Sequence, residues 1–165
     1  MCEVVYLASD KPLPLREYEQ DRPVFWLGEL GSFSDNDNGV KKQFSLPYVY
    51  YIGSHTCCGC GFQKRTKRGK RNLFRRVLNL FKEPKKKGCD LAGADLALNT
   101  VVDLTYRQLV NYLQEAKKQG ARLELLTCYD GFQEEQPKRR EVIRTVQIES
   151  SAFTFGGDTH YELIG

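Results

Sequence analysis

One short segment of the chain gathers side chains that can bind a metal ion or attack an electrophile. The sequence His55-Thr-Cys-Cys-Gly-Cys60 places one imidazole and three thiols within six residues. Thiolates and imidazole are the usual ligands of tetrahedral zinc, and Gly59 lets the backbone bend tightly enough to aim more than one sulfur at a point. The segment therefore predicts a site for zinc or another thiophilic metal.

A complete metal site needs ligands from other parts of the chain. The predicted ligands are His55, Cys58, Cys60 and Cys128, with Cys2 and Cys57 as further candidates. The chain has no second paired knuckle of the CxxC type, which is the pattern that makes a zinc prediction specific. The same cysteines could instead pack as small hydrophobic side chains at a junction between a loop and the sheet, with the histidine hydrogen-bonded locally.

A reactive thiol is the third interpretation of this segment. Cys57 and Cys60 have CxxC spacing, and the basic residues that follow from Lys64 would favour a thiolate by lowering a thiol pKa. The residues after the motif do not resemble the helix start that carries such a pair in thioredoxin-like proteins. His55 or His160 could act as the base of a Cys-His pair.

A strongly basic insert between Phe62 and Gly88 is the second unusual feature. It holds 12 Lys and Arg residues and one acidic residue, a net charge of +11, whereas the whole chain carries +4 and the remainder therefore −7. Residues 72–82 have the apolar spacing of an amphipathic helix. Such a segment can bind nucleic acid, lie on an anionic membrane surface, or pack its apolar face on the domain. The predicted contact residues are Lys64, Arg65, Lys67, Arg68, Lys70, Arg71, Arg75, Arg76, Lys85, Lys86 and Lys87.

Length and composition bound the remaining possibilities. A chain of 165 residues fits one domain, here predicted to span residues 1–165. The N-terminus has no basic region ahead of an apolar core, and no run of about 18 apolar residues occurs. Reduced cysteines in the cytoplasm are therefore expected. The common nucleotide-binding, serine hydrolase and zinc protease motifs are absent, and the sequence leaves open whether the protein is an enzyme.

Strands must position these side chains. Apolar runs predict strands at Cys2 to Ala8, Val24 to Leu30, Tyr48 to Ser54 and Leu123 to Tyr129. The segment from Gly31 to Gly39 has the composition of a loop. Val146 to Phe155 and His160 to Ile164 read as a final hairpin that turns at Gly156-Gly157-Asp158.

One helix is predicted after the insert. Thr105 and Gln108 fit a capping box, Leu104 and Leu109 fit a hydrophobic staple, and Gly120 supplies a stop. The elements together predict an α+β fold, with a single mostly antiparallel or mixed sheet of five to six strands, a helix packed on one face and a basic helical insert.

The crossover through this helix decides which residues can meet. Strands joined by such a crossover run parallel as neighbours or near neighbours, so the Tyr48 and Leu123 strands should end on the same rim of the sheet. His55 to Cys60 come directly after the Tyr48 strand, and Cys128 lies at the end of the Leu123 strand. Cys2 reaches this rim if its strand is antiparallel to the other two.

Three blocks of the sequence resemble a family of small bacterial proteins to which no activity is assigned. The blocks are Met1-Cys-Glu-Val-Val-Tyr-Leu-Ala-Ser9, Tyr48-Val-Tyr-Tyr-Ile-Gly-Ser-His-Thr-Cys-Cys-Gly-Cys-Gly-Phe62 and Cys128-Tyr-Asp-Gly131. The resemblance covers about half of the chain in separated blocks. It implies that Cys2, His55, Cys58, Cys60 and Cys128 belong to one site, and it implies no particular reaction.

Overall fold

A computed structural model describes residues 2–19, 25–31, 35–63, 98–149 and 153–165. The basic residues of the insert and its predicted helix at 72–82 lie outside the described residues. Among the described residues, no helix is long and apolar enough to span a membrane.

The described chain forms one six-stranded mixed sheet. The strands are β1 (Glu3–Ser9), β2 (Trp26–Glu29), β3 (Tyr48–Gly53), β4 (Leu123–Tyr129), β5 (Arg139–Arg144) and β6 (Thr159–Ile164). Their order across the sheet is β2-β3-β1-β4-β6-β5, and every neighbouring pair is antiparallel except β5 and β6. This arrangement confirms the predicted α+β class.

In the part of the chain that the structure describes, four helical segments connect the strands. They are the 3-10 helices η1 (Asp35–Gln43) and η2 (Gly59–Phe62), the long α-helix α1 (Leu98–Lys118) and the single turn α2 (Thr145–Ile148). The helix η1 begins inside the segment that was expected to be a loop, because a short 3-10 turn is compatible with Asn and Asp residues that disfavour longer helices.

The main hydrophobic core lies between α1 and one face of the sheet. Leu109, Val110 and Leu113 of the helix are fully buried against residues such as Val5 and Leu125. Burial of each such side chain stabilises the fold by about 1.5–3 kcal/mol. The predicted stop of the helix at Gly120, where φ is +79°, is confirmed.

The second face of the sheet carries a smaller core. Val4, Tyr6, Trp26, Tyr51 and Cys128 are buried there, and the loop that contains η1 contributes Val40 and Phe44. Since side chains alternate between the two faces along a strand, Glu3 and Val5 face the helix whereas Val4 faces this second cluster.

The predicted start of the helix was wrong. Helix α1 begins at Leu98, so Thr105 lies inside the helix and cannot be its N-cap. The Thr105 hydroxyl instead donates a hydrogen bond to the carbonyl oxygen of Val101, 2.8 Å away and one turn earlier. A Thr-x-x-Gln pattern also fits a helix interior when the threonine bonds back to the preceding turn.

The predicted C-terminal hairpin was also wrong. Val146 lies in the turn α2 and not in a strand, while β5 lies earlier in the chain, at Arg139–Arg144. β5 pairs with β6 in parallel, from Arg139 opposite Thr159 to Arg144 opposite Ile164. Two parallel strands cannot be joined by a tight turn, so a longer connection that includes α2 is required.

Candidate functional site: a dithiol turn at the sheet rim

The rim predicted from the crossover is present in the structure. β3 and β4 both pair antiparallel with β1, so they are parallel to each other with β1 between them. The start of β1 therefore lies beside the ends of β3 and β4. The Cys2 carbonyl oxygen accepts a hydrogen bond from the Asp130 amide at 2.9 Å, which joins the first residues of the described chain to the residue after β4.

The turn between β3 and η2 is held by a compact set of hydrogen bonds. The Ser54 amide donates to the Cys58 carbonyl oxygen at 3.1 Å, and the Cys57 amide donates to the Ser54 carbonyl oxygen at 3.0 Å. The Ser54 hydroxyl, which is fully buried, also donates to the Cys58 carbonyl. Cys57 adopts φ +68°, a conformation that is uncommon for a residue with a side chain. The turn is thus tightly constrained at the position just before Cys58.

Two glycines let this turn pack closely. A Cβ atom on Gly59 would lie 2.7 Å from the carbonyl oxygen of Glu3, and one on Gly61 would collide with the Ser54 hydroxyl. Contacts this short between non-bonded atoms are strongly repulsive. Gly59 therefore allows the close approach of the turn to β1, and Gly61 allows the turn to fold back on Ser54.

Cys58 and Cys60 are neighbouring thiols on this turn. Both side chains are partly exposed, and neither is in a disulfide. The Thr56 hydroxyl lies 3.7 Å from the Cys58 sulfur. The neighbouring Cys60 thiol and the Thr56 hydroxyl lower the pKa of Cys58 to about 6, against the opposing effect of burial. The pKa of Cys60 is raised by its interaction with Cys58 and by partial burial.

The backbone of Glu3 fixes the second sulfur of the pair. The Glu3 amide donates to the Cys60 sulfur at 3.3 Å, and the Cys60 thiol donates to the Glu3 carbonyl oxygen at 3.9 Å. The side chain of Glu3 is buried beside the pair, and its Oε2 atom accepts a hydrogen bond from Gln63. Its Oε1 atom is buried with no partner among the described residues. Burial raises the pKa of the Glu3 carboxyl, and the nearby Cys58 acts in the same direction.

His55 lies on the side of the turn that faces α1. Its Nδ1 atom is 3.2 Å from the Thr105 hydroxyl oxygen. Because that hydroxyl donates its proton to the Val101 carbonyl oxygen, Nδ1 is the donor to Thr105. Partial burial lowers the pKa of His55. The imidazole therefore connects the turn to the helix.

The sheet separates Cys128 from the thiol pair. Cys128 pairs with Val4 in the β1–β4 register and is buried in the cluster on the second face. The turn η2 packs on the other face, where Phe62 joins the core beneath α1. The structure thus brings Cys58, Cys60 and the backbone next to Cys2 together, and it leaves the Cys128 side chain outside this group.

Cys57 differs from the expectation of reduced thiols, because it is disulfide-bonded. The CxxC pair proposed from spacing is therefore not the pair that the turn presents. The structure favours the CxC pair formed by Cys58 and Cys60, which are separated by Gly59 alone.

Among the described residues, no group of three or more His, Cys, Asp or Glu side chains has the arrangement needed to hold a metal ion. No protein-family model, curated protein or solved structure matches the chain. The fold and the site define the protein only as an α+β protein with a dithiol turn at the rim of a mixed sheet.

Sequence reasoning missed the residues that support the pair. Thr56 lies within the His55 to Cys60 segment and Gln63 follows it closely. Threonine and glutamine are common residue types, however, and their spacing predicts no site. Glu3 comes from the opposite end of the chain, and only the antiparallel pairing of β1 brings it to the turn. A charged residue within the apolar run of β1 was the one available indication of its role.

Proposed function

We propose that the protein carries out thiol–disulfide exchange through Cys58 and Cys60, with Cys58 as the attacking thiolate and Cys60 as the resolving thiol. The observation that carries this proposal is the pair of free, partly exposed thiols that are separated by Gly59 alone, in which the pKa of Cys58 is lowered to about 6. A thiolate is the reactive form in such exchange, and a neighbouring thiol that donates a hydrogen bond stabilises it. The substrate class is a disulfide, either in a protein or in a small molecule.

The proposed reaction has two steps. The Cys58 thiolate attacks one sulfur of the substrate disulfide, forms a mixed disulfide and releases the first substrate thiolate, which takes a proton from solvent. Cys60 then loses its proton to solvent and attacks the Cys58 sulfur. This second step forms a Cys58–Cys60 disulfide and releases the second substrate thiolate. The substrate gains two electrons and the pair loses two, so a dithiol reductant must restore the pair.

Thiol–disulfide exchange can be tested with a small disulfide whose reduction releases a coloured thiolate. Wild-type protein should reduce it in proportion to its concentration when a dithiol reductant is present. Cys58→Ser should abolish this activity, and Cys60→Ser should stop it at a mixed disulfide that mass spectrometry detects on Cys58. Cys128→Ser is the matched control, because this thiol is buried on the other face, and it should leave the rate unchanged.

Two results would contradict the proposal. Activity that survives in Cys58→Ser would assign the reaction to another thiol. Failure of the wild-type protein to form a Cys58–Cys60 disulfide at any redox potential would remove the resolving step. In both cases the folded state should be checked by circular dichroism, so that loss of structure is not mistaken for loss of chemistry.

Zinc binding is the competing proposal for the same sulfurs. It would use Cys58 and Cys60, with Cys2 as a further thiol close enough to raise the pKa of Cys60. Metal analysis of protein purified without an affinity tag, with thiol titration before and after chelation, distinguishes the two. Stoichiometric zinc that protects the pair from alkylation would favour the metal site over exchange chemistry.

We also propose that the basic insert binds nucleic acid or an anionic surface. The supporting observation is its net charge of +11, whereas the rest of the chain is acidic. Each phosphate contact made by such a segment releases counterions, so binding should weaken steeply with salt. Replacing Lys64, Arg65 and Lys67 by glutamine should reduce both the affinity for mixed-sequence nucleic acid and the salt dependence. Unchanged binding in this variant would reject the proposal.

A reducing compartment such as the cytoplasm would supply the dithiol reductant that the proposed exchange requires, whereas the disulfide at Cys57 is of a kind that persists mainly in oxidising compartments. In the cytoplasm the glutathione and thioredoxin systems keep thiols reduced and can supply the dithiol reductant. Mixed disulfides trapped in cells with Cys60→Ser would test this location directly.

A further inference from the structure

A second polar site lies on the opposite face of the sheet from the dithiol turn. Here β4, β6 and β5 form the floor of a half-open cavity of about 270 Å³, which Ser45 borders from the loop after η1. The cavity is lined by Ser45, Glu124, Arg140, Glu141, Val142, His160 and Glu162. None of these residues takes part in the thiol chemistry proposed above.

A buried ionisable pair forms the base of this cavity. Glu124 and His160 are only 8% and 7% exposed, and the His160 Nε2 atom lies 3.3 Å from Glu124 Oε2. The same carboxylate accepts hydrogen bonds from the Ser45 amide at 3.1 Å and from the Ser45 hydroxyl. Buried charged groups are retained where several hydrogen bonds stabilise them. Glu124 is thus held in one position by three donors.

This arrangement fixes the tautomer of His160. A carboxylate only accepts hydrogen bonds, so Nε2 must carry the proton that it donates to Glu124. Burial lowers the pKa of His160, so the ring is neutral at pH 7 and its Nδ1 atom is unprotonated. Nδ1 forms no hydrogen bond to any part of the chain that the structure describes. His160, which lines the cavity, therefore carries an acceptor atom on a side chain that is more than nine-tenths buried.

Charges of both signs surround this acceptor. Arg140 lies directly opposite His160 in the parallel β5–β6 register, and Glu162 lies directly opposite Glu124 in the β4–β6 register. Like charges at directly opposed positions repel each other, and the sheet tolerates them best when a cation lies nearby. Within the described residues, neither Arg140 nor Glu162 has an ion-pair partner. One guanidinium and several carboxylates are thus available to a ligand.

We infer that this cavity binds a small zwitterion, an α-amino acid or a molecule that ends in that group. The ammonium group would donate to His160 Nδ1 and to the Glu162 carboxylate, and the carboxylate group would pair with the Arg140 guanidinium. Val142, the apolar residue among those that line the cavity, supplies a contact for the remainder of the ligand. The volume limits the ligand to a small molecule.

The test uses the full chain labelled with ¹⁵N and a titration monitored by amide chemical shifts. The probes are alanine, leucine and glutamate, together with propionate and propylamine, which each lack one of the two charged groups. At least one amino acid should give saturable shifts around Glu124, Arg140 and His160. Propionate and propylamine should each bind at least about tenfold more weakly, because each loses one charge-assisted hydrogen-bond partner.

Matched variants separate this site from a general surface effect. Arg140→Gln and Glu162→Gln should each weaken binding by about tenfold or more, since each removes one charged partner. Arg139→Gln is the control, because alternation along β5 directs this neighbour to the other face. Binding should be unchanged in that variant. The inference is overturned if no amino acid gives saturable shifts at these residues, if either fragment binds as tightly, or if Arg140→Gln binds normally.

Discussion

Cys58 and Glu3 show how the surroundings of a residue change its chemistry. Both are acids, yet the pKa of Cys58 is lowered and that of Glu3 is raised. Donors from Cys60 and Thr56 stabilise the thiolate, whereas one oxygen of the Glu3 carboxyl is buried without a partner. Two neighbouring groups therefore change in opposite directions, as is common at reactive sites.

Replacing Glu3 by Gln tests the cost of burying this carboxyl. An acid with a raised pKa in the folded state binds its proton more tightly there than when unfolded, so its ionisation destabilises the fold as pH rises above 4.5, its ordinary value. Glu3→Gln should therefore have a higher free energy of unfolding than wild type at pH 7. Urea titrations should show that this gain shrinks as pH falls towards 4. A variant that is less stable at pH 7 would contradict this account.

His160 should give the free energy of unfolding a pH dependence opposite in sign to that of Glu3. Its pKa is lowered by burial, so the unfolded chain binds a proton more readily than the folded protein. The free energy of unfolding should fall as pH drops below about 6.5, the ordinary value for histidine. His160→Gln should flatten this part of the stability profile. A profile that is the same with and without His160 would show that its protonation is not coupled to folding.

At the scale of elements, the turn η2 is anchored by the helix. The Tyr106 hydroxyl donates to the Phe62 carbonyl oxygen at 2.7 Å and accepts from the Phe155 amide at 3.3 Å. The ring of Tyr106 also packs against those of Phe62 and Phe155. One buried side chain thus links α1, η2 and the segment before β6.

Tyr106→Phe should loosen this link without creating a large cavity. Removing the hydroxyl leaves a buried carbonyl and a buried amide unsatisfied, which costs about 1–3 kcal/mol. Thermal or urea unfolding measures this change. Tyr112→Phe is the control, because its hydroxyl donates to the Pro14 carbonyl at an exposed position and should matter much less. Equal losses in the two variants would contradict the anchoring role.

The elements also show what the sequence could and could not predict. The strand from Leu123 to Tyr129 was predicted at its observed bounds, because every residue but the last is buried and the run is strongly apolar. Thr105 was misplaced as a cap because the local pattern does not reveal that the helix begins a further two turns earlier. Val146 was wrongly placed in a strand, because the local sequence does not indicate that β6 pairs in parallel with the earlier strand β5.

The candidate site, like the strands and the helix, was predicted only in part from the sequence. The rim of Cys2, Cys58 and Cys60 followed from the crossover and from strand direction. Which face each side chain occupies depends on strand register, so the sequence did not reveal that Cys128 lies on the other side. The pairing of the Cys58 and Cys60 thiols depends on the shape of one turn, which spacing alone cannot specify.

At the scale of the whole molecule, the sheet keeps two polar sites apart. The dithiol turn lies on the α1 side, and the cavity with Glu124 and His160 lies on the other. Both depend on β1 and β4 at the centre of the sheet. Global stability should therefore affect both sites, whereas local changes at one should leave the other intact.

Leu113→Ala tests the central core that both sites share. Leu113 is fully buried between α1 and the sheet, and its truncation should lower the free energy of unfolding by about 2–5 kcal/mol. Asn111→Ala on the exposed side of the same helix should change it by less than about 0.5 kcal/mol. Urea unfolding measures both. A small effect of Leu113→Ala would mean that the helix contributes little to the core.

The central claim is that the neighbouring Cys60 thiol makes Cys58 a thiolate near neutral pH. The most direct measurement is the rate at which iodoacetamide alkylates Cys58, followed by peptide mass spectrometry from pH 4 to 10. The account predicts a half-maximal rate at about pH 6 in the wild-type protein. Replacing Cys60 by Ala should move this midpoint upward, towards about 8.5. A wild-type midpoint near 8.5, or a midpoint that Cys60→Ala leaves unchanged, would contradict it.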